Sequence, residues 1–211
     1  MKRQPPVTGV VLAGGRSERF GEECKAAASF DGRPLVERVV RRVRAATRRR
    51  PIVAAGPRDK RAAVDRVLSD ADPVRYVADA NWCNGPVAGL CAALDAVSTD
   101  HVFVCGCDMP LLSVAAVSWL IDRHADSGAD ATLPVDSAGR RQPLHGVYRT
   151  SALAARCDRR LGSNSLRALV SELSVDRVDS SSAPDSLSLE ASMANVNTRE
   201  ELGGLRQRFA E

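Results

Sequence analysis

Val7-Thr8-Gly9-Val10-Val11-Leu12 runs directly into Ala13-Gly14-Gly15-Arg16-Ser17-Glu18-Arg19-Phe20-Gly21. A short apolar run of this kind predicts a buried strand, and the polar glycine-rich stretch behind it predicts a loop. The same alternation recurs along the chain. Pro34 stands at a first helical position, and Val36, Val39, Val40 and Val43 form an apolar stripe behind it. Ile52–Ala55 predicts a strand, Asp59–Leu68 a helix and Val74–Val77 another strand. After a loop over Asp79–Gly85, Pro86 opens a helix to about Val97. His101–Cys105 predicts the next strand, which Asp108-Met109-Pro110 breaks before a helix over Ser113–His124. Ala131–Val135 and Leu144–Tyr148 predict two further strands.

Strand–helix alternation of this kind implies an α/β fold, with a mostly parallel sheet covered by helices on both faces. Its connections are expected to be right-handed and its ligand site to lie off the C-terminal strand ends. Beyond Arg149 the pattern weakens to two short helices between Thr150 and Leu173, then a surface loop over Asp179–Ser188. Thr198, with Glu201 three residues on, makes a capping box for a final helix. There is no internal repeat and no linker-like stretch, so the expectation is a single domain over residues 1–211.

Composition narrows the function classes. With 44% hydrophobic and 27% charged residues in 211, the chain matches an ordinary globular protein rather than a fibre or a disordered tail. No run approaches ~18 consecutive apolar residues, so no membrane span is expected. Six cysteines without C-x-x-C spacing predict reduced thiols and a cytoplasmic setting. The net charge of +4 rests on arginine, densest at Arg38, Arg41, Arg42, Arg44, Arg48, Arg49 and Arg50. On the helix behind Pro34 these fall mostly on the wet face. With aromatics at only 4%, a solvated face is expected rather than a nucleic-acid surface.

Four segments carry chemistry. Glycines directly after the first strand let backbone N–H groups approach phosphate oxygens, and Arg19 and Lys25 would add positive charge around a triphosphate. The loop is neither a Walker A motif, lacking its Gly-Lys-Ser/Thr ending, nor a G-x-G-x-x-G fingerprint. Asp108, in Cys105-Gly106-Cys107-Asp108-Met109-Pro110, puts a carboxylate at a buried strand end, where a hard oxygen ligand suits Mg²⁺. Asn81-Trp82-Cys83-Asn84-Gly85-Pro86-Val87-Ala88-Gly89 is a turn leading into a helix of small residues. Upstream of it, the Asp79 carboxylate could accept from guanine N1–H and N2–H₂ together. Near the C-terminus, Asn195-Val196-Asn197-Thr198 places two amides before the last helix. His101, Cys105 and Cys107 share a strand face by period two and could be drawn as a zinc site; cysteines in an apolar strand are more commonly core filler.

The glycine loop with its downstream Lys25, the Gly85-Pro86-Val87-Ala88-Gly89 turn, the C-x-C-D-M-P strand end and the final Asn195-Val196-Asn197-Thr198 resemble the molybdenum-cofactor guanylyltransferases. Gln142-Pro143-Leu144-His145-Gly146-Val147-Tyr148-Arg149 is similar to that family's Pro-Leu-x-x-x-Tyr-Arg strand. The resemblance runs from Leu12 to Leu202. It departs where Phe20 replaces a methionine, where Cys24 precedes Lys25 in place of an aspartate, and where Asn164-Ser165 replaces basic residues. It implies a three-layer α/β/α, Rossmann-like nucleotidyltransferase fold. The implied reaction is transfer of GMP from GTP to molybdopterin-bound molybdenum with Mg²⁺. Molybdoenzymes or other cofactor-assembly proteins are the implied partners, with neither nucleic acid nor membrane.

On that resemblance Arg19, Lys25 and Asp108 are the catalytic candidates, with Asp108 on the metal. Leu12, Ala13, Gly14, Gly15 and Gly85 would line the nucleotide, Asp79 would read the base, and Asn195 and Asn197 would stand on the metal or acceptor side. His145 is a weaker catalytic candidate, since an acceptor phosphate is already an anion and needs little acid–base help. The alternatives are cytidylyl transfer to the same cofactor, guanylyl transfer to a cobalamin precursor or phospholactate, and a non-catalytic nucleotide-binding or cofactor-delivery protein.

Overall fold

Val7–Leu12 forms β1 and lies inside the sheet because both of its faces are apolar: Val7 and Val11 pack on one side and Val10 on the other. The structure is a computed structural model and describes residues 4–14, 24–56, 58–68, 73–79, 86–158 and 165–209. In chain order the elements after β1 are β2 (Ser29–Phe30), β3 (Arg33–Pro34), α1 (Leu35–Thr47), β4 (Ile52–Ala54), α2 (Arg58–Leu68) and β5 (Arg75–Val77). Then come α3 (Pro86–Leu94), β6 (His101–Gly106), α4 (Val114–Ser127), β7 (Ala131–Val135) and β8 (His145–Arg149). The chain continues with α5 (Thr150–Asp158), α6 (Leu166–Ser171), β9 (Val175–Asp179), α7 (Leu189–Met193) and α8 (Arg199–Phe209).

Among the described residues, seven strands make one sheet in the order β5-β4-β1-β6-β8-β7-β9, and β2 and β3 pair apart from it. β8 runs antiparallel to both its neighbours, and every other pairing in the large sheet is parallel. The period of two sorts the core into two layers. Val11, Phe103 and Cys105 meet α1 and α4 on one face, through Val39, Val40, Val43, Val117 and Leu120. Val10, Val102, Val104 and Tyr148 meet α3, α5 and α6 on the other, through Leu90, Leu153 and Leu169. This is the expected three-layer α/β/α arrangement. A third cluster joins Phe30 and Leu35 to Val196 and Leu202, seating the C-terminal segment against the N-terminal hairpin.

Several details differ from the sequence reading, each for a local reason. The helix from Pro86 stops at Leu94 because Ala96 and Val97 tighten to bonds with the carbonyls of Ala93 and Leu94. α4 runs on to Ser127, where Gly128 takes the left-handed conformation that ends it. The Asp31-Gly32 turn, with φ of 48° and 75°, makes an unforeseen hairpin of β2 and β3. β9 was not expected, and the loop behind it contains two single 3-10 turns, Ser180–Ser182 and Asp185–Leu187.

The arginine cluster is not wholly solvated. Arg38 Nε donates to the Pro110 carbonyl at 2.7 Å and Arg42 to that of Leu112 at 2.9 Å, so α1 grips the segment just past Asp108. Arg50 donates to the Val74 carbonyl. The expectation of reduced thiols is corrected for one pair, while Cys24, Cys105 and Cys107 are free thiols. Cys91 on α3 and Cys157 on α5, both buried, are joined as a disulfide with Cα atoms 5.6 Å apart. Two helices packed on one sheet face bring together cysteines 66 residues apart, which no sequence spacing reveals. Among the described residues, no helix is long and apolar enough to cross a membrane.

Candidate active site

The sheet ladder continues past its formal ends in the middle. Ala13 N–H donates to the Ala54 carbonyl at 2.7 Å and Cys107 N–H to the Leu12 carbonyl at 3.1 Å. The C-terminal ends of β4, β1 and β6 are therefore held side by side. They floor a cleft of about 220 Å³ lined by Leu12, Ala13, Gly14, Lys25, Asp79, Asp108 and Asn197 among others. Parallel strand ends are where an α/β sheet is expected to present its ligand site.

Lys25 sits in the single 3-10 turn Lys25–Ala27, whose buried residue is Ala26. Its ammonium donates to Asp108 Oδ2 at 2.7 Å and to Asn197 Oδ1 at 3.1 Å. The Lys25 and Asp108 side chains are 15% and 20% exposed, so the pair faces the cleft while being largely shielded from bulk solvent. A Cβ on Gly106 would collide with Asp108 Oδ1, so the glycine is what lets the carboxylate fold back over its own strand end. The Asp108 carbonyl accepts from Val196 N–H at 2.9 Å, which pins the segment carrying Asn197 beside the pair. Thr198 Oγ1 then accepts from Glu201 N–H at 3.1 Å, while the Glu201 carboxylate takes the N–H of Asn197 rather than of Thr198. The capping box is shifted by one residue and anchors Asn197 directly.

Asp79 enters the cleft between two glycines. A Cβ on Gly14 would lie 3.0 Å from Asp79 Oδ2, and one on Gly89 would lie 3.1 Å from Oδ1. Side chains at either place would crowd the carboxylate. Gly89 also meets Ala54, where a Cβ would come within 2.9 Å, so α3 can approach β4 only because the position is bare.

The structure thus brings Leu12, Ala13, Gly14, Lys25, Asp79, Asp108 and Asn197 into one cleft. Asn195 is not among its lining residues and is exposed to solvent, one residue before the point at which Asp108 holds the segment. Gly15, Arg19, Gly85 and Asn164 lie outside the described residues. Leu144 lines the cleft without having been singled out for it; its place just before β8 is the signal that could have found it.

His145 is fully buried and does not line the cleft. Its Nε2 lies 2.7 Å from Ser192 Oγ, which also accepts from Ser113 N–H, and burial pushes the imidazole down to about 4. It ties β8 to α7 and to the start of α4. The imagined zinc triad separates likewise. His101 meets the His124 ring edge-on, Cys105 is in the core with its thiol pushed up by burial, and Cys107 lies at the cleft floor.

A parallel sheet whose strand ends floor a glycine-lined cleft, with a lysine–carboxylate pair and a second carboxylate inside it, defines an α/β enzyme that handles nucleotide phosphates. The MobA-like NTP transferase domain matches residues 9–178, and the chain belongs to that family. It is a nucleotidyltransferase. A Haloferax mediterranei protein described as "Probable molybdenum cofactor guanylyltransferase" is 34% identical over 95% of this chain and 93% of its own. The Desulfosudis oleivorans "Molybdenum cofactor guanylyltransferase" is 30% identical over 93% of this chain and 92% of its own. Among solved structures, molybdopterin-guanine dinucleotide biosynthesis protein A of Archaeoglobus fulgidus superposes with a TM-score of 0.78 at 22% identity, covering 97% of this chain and 99% of that one. The 4-diphosphocytidyl-2C-methyl-D-erythritol synthase of Anaerococcus prevotii gives 0.70 at 14% identity, covering 99% and 100%. Likeness at these identities is likeness of fold.

Proposed function

We propose that this chain, acting as one nucleotidyltransferase unit, transfers GMP from GTP to the terminal phosphate of molybdopterin-bound molybdenum and releases pyrophosphate. The observation that carries the reading is the Lys25–Asp108 pair set in the same cleft as Asp79. The curated relatives, matched over nearly their whole lengths, supply the acceptor. An acceptor phosphate oxygen attacks the α-phosphorus; the bond from that phosphorus to the β-phosphate oxygen breaks, and pyrophosphate leaves with the electron pair. The nucleophile is already anionic, so the difficulty is bringing two polyanions into line.

The chain's own residues address that difficulty. Leu12, Ala13 and Gly14 give the nucleotide a surface without bulk, and Lys25, together with Arg19, holds the β- and γ-phosphates. Asp79 accepts from guanine N1–H and N2–H₂. Asn197 steadies the Lys25 ammonium, and Val196 N–H steadies the Asp108 backbone. Asp108 fits Mg²⁺, which commonly takes one or two carboxylates together with substrate phosphates, and its side chain opens into the cleft. Bound there, the ion would supply neutralisation of charge on the α-phosphate.

The test is incubation of the purified protein with molybdopterin cofactor, Mg²⁺ and each labelled nucleoside triphosphate, scoring pyrophosphate release. GTP-dependent release that requires the cofactor is expected. Preferential use of CTP would replace the guanylyl reading with a cytidylyl one, and no release with any nucleotide would defeat the reading altogether.

A further inference from the structure

We infer that Lys25 is the resident counter-ion of Asp108 and exchanges with the divalent cation, so that the metal site forms only when phosphate draws the lysine away. Cation and triphosphate then bind together, not one after the other. This deepens the function proposed above and rests on Asp108 being the metal carboxylate.

The argument is geometric. Nζ of Lys25 lies 2.7 Å from Asp108 Oδ2, a direct charge-assisted bond. A Mg²⁺ ion needs to sit at about 2.0–2.1 Å from its oxygen ligand. An ion at that distance from Oδ2 would share one oxygen with an ammonium, in a pair shielded enough that screening by salt is weak. Both cations cannot be held there. The other carboxylate oxygen gives no easy way round, because it is folded against the strand end where Gly106 makes room for it.

Lys25 has somewhere to go. Its ammonium already donates to Asn197 Oδ1 at 3.1 Å, and Asn197 is fixed by Glu201 through its own N–H. The lysine can therefore swing off Asp108 while keeping a neutral anchor. Drawing it off Asp108 takes a competing anion. The β- and γ-phosphates provide it, and the same phosphates provide oxygen ligands for the incoming ion. Linkage then requires the cation to strengthen nucleotide binding by the same factor as nucleotide strengthens cation binding, typically about 5- to 150-fold for coupled sites.

The experiment uses Mn²⁺ alone as probe, with the nucleotide-free protein in 0.3 M salt, counting free ion by electron paramagnetic resonance. Lys25→Met should bind Mn²⁺ about tenfold or more tightly than wild type, an increase in metal affinity on removing a residue of the site. Lys25→Arg, which keeps the charge, should stay as weak as wild type and guards against a trivial change in folding. Asp108→Asn placed on Lys25→Met should abolish the gain. If Lys25→Met binds no more tightly than wild type while binding still depends on Asp108, the exchange is overturned and the metal reading stands. If Mn²⁺ binding is indifferent to Asp108→Asn, the metal reading itself falls.

Discussion

Replacing Asp79 with asparagine tests base selection with almost no change of shape. The carboxylate occupies a slot between Gly14 and Gly89, where a Cβ would come within 3.0 and 3.1 Å of its two oxygens, so an isosteric side chain fits and a larger one does not. As a carboxylate, Asp79 offers two acceptors to the two donors of guanine. As an amide it offers one acceptor and one NH₂ group, and the NH₂ would face a guanine donor. One hydrogen bond is lost and one buried donor is left unsatisfied, at a cost of about 1–3 kcal/mol. That corresponds to roughly a 5- to 150-fold fall in kcat/KM for GTP. Inosine triphosphate, lacking the 2-amino group, should be the poorer substrate for wild type and should lose much less on substitution. The assay is steady-state pyrophosphate release with GTP, ITP and ATP side by side. Equal losses for all three would move Asp79 from base recognition to the loop framework, and an unchanged kcat/KM for GTP would refute the contact outright.

Other outcomes follow from the same geometry. Lys25→Ala should weaken GTP at least tenfold more than GMP in calorimetric titration, because the lost charge faces the outer phosphates; equal weakening would contradict that placement. Burial holds the His145 imidazole at about 4 against an ordinary 6.5, so the folded chain binds fewer protons than the unfolded one between those values. Its contribution is complete above pH 6.5 and is lost as the pH falls toward 4, up to about 3 kcal/mol. Urea melts at pH 7.5 and 5 should show the loss, and His145→Asn should flatten the slope between them. Reducing Cys91–Cys157, which closes a 66-residue separation, should cost about 4 kcal/mol on chain-entropy grounds; an unchanged urea midpoint in dithiothreitol would show that the bond adds nothing to stability.

What could be seen in the sequence was whatever is written locally. β1 matched Val7–Leu12 to the residue, because a continuous apolar run bounded by a glycine loop has no competing interpretation. β9 escaped notice because Val-Asp-Arg-Val-Asp is an edge strand with one fully buried side chain, Val178, so its apolar period is nearly invisible. That Arg38 and Arg42 turn from the wet face was hidden for a different reason: their carbonyl partners, Pro110 and Leu112, are about seventy residues away in sequence. Lys25 and Asp108 were each legible from their motifs, but their 2.7 Å bond was not, and neither was the part Asn197 plays in it. Asn195 and Asn197 look equivalent in the sequence. What distinguishes the one that reaches the cleft is its bond from the Lys25 ammonium and the hold of Glu201 on its N–H.

The reversed strand β8 also sets a timetable for synthesis. β6 needs β1 on one side and β8 on the other, and Val102 pairs with Tyr148, Val104 with Gly146. On the ribosome β1 is long finished when β6 is made, but its second partner ends at Arg149, more than forty residues later. At about 5–20 residues per second the nascent chain carries an open, apolar sheet edge for roughly 2–9 s. Throughout that interval the row Val102-Phe103-Val104-Cys105 is a template any other extended chain could join. Completion of β8 closes that edge at the same moment as it places Leu144 on the cleft.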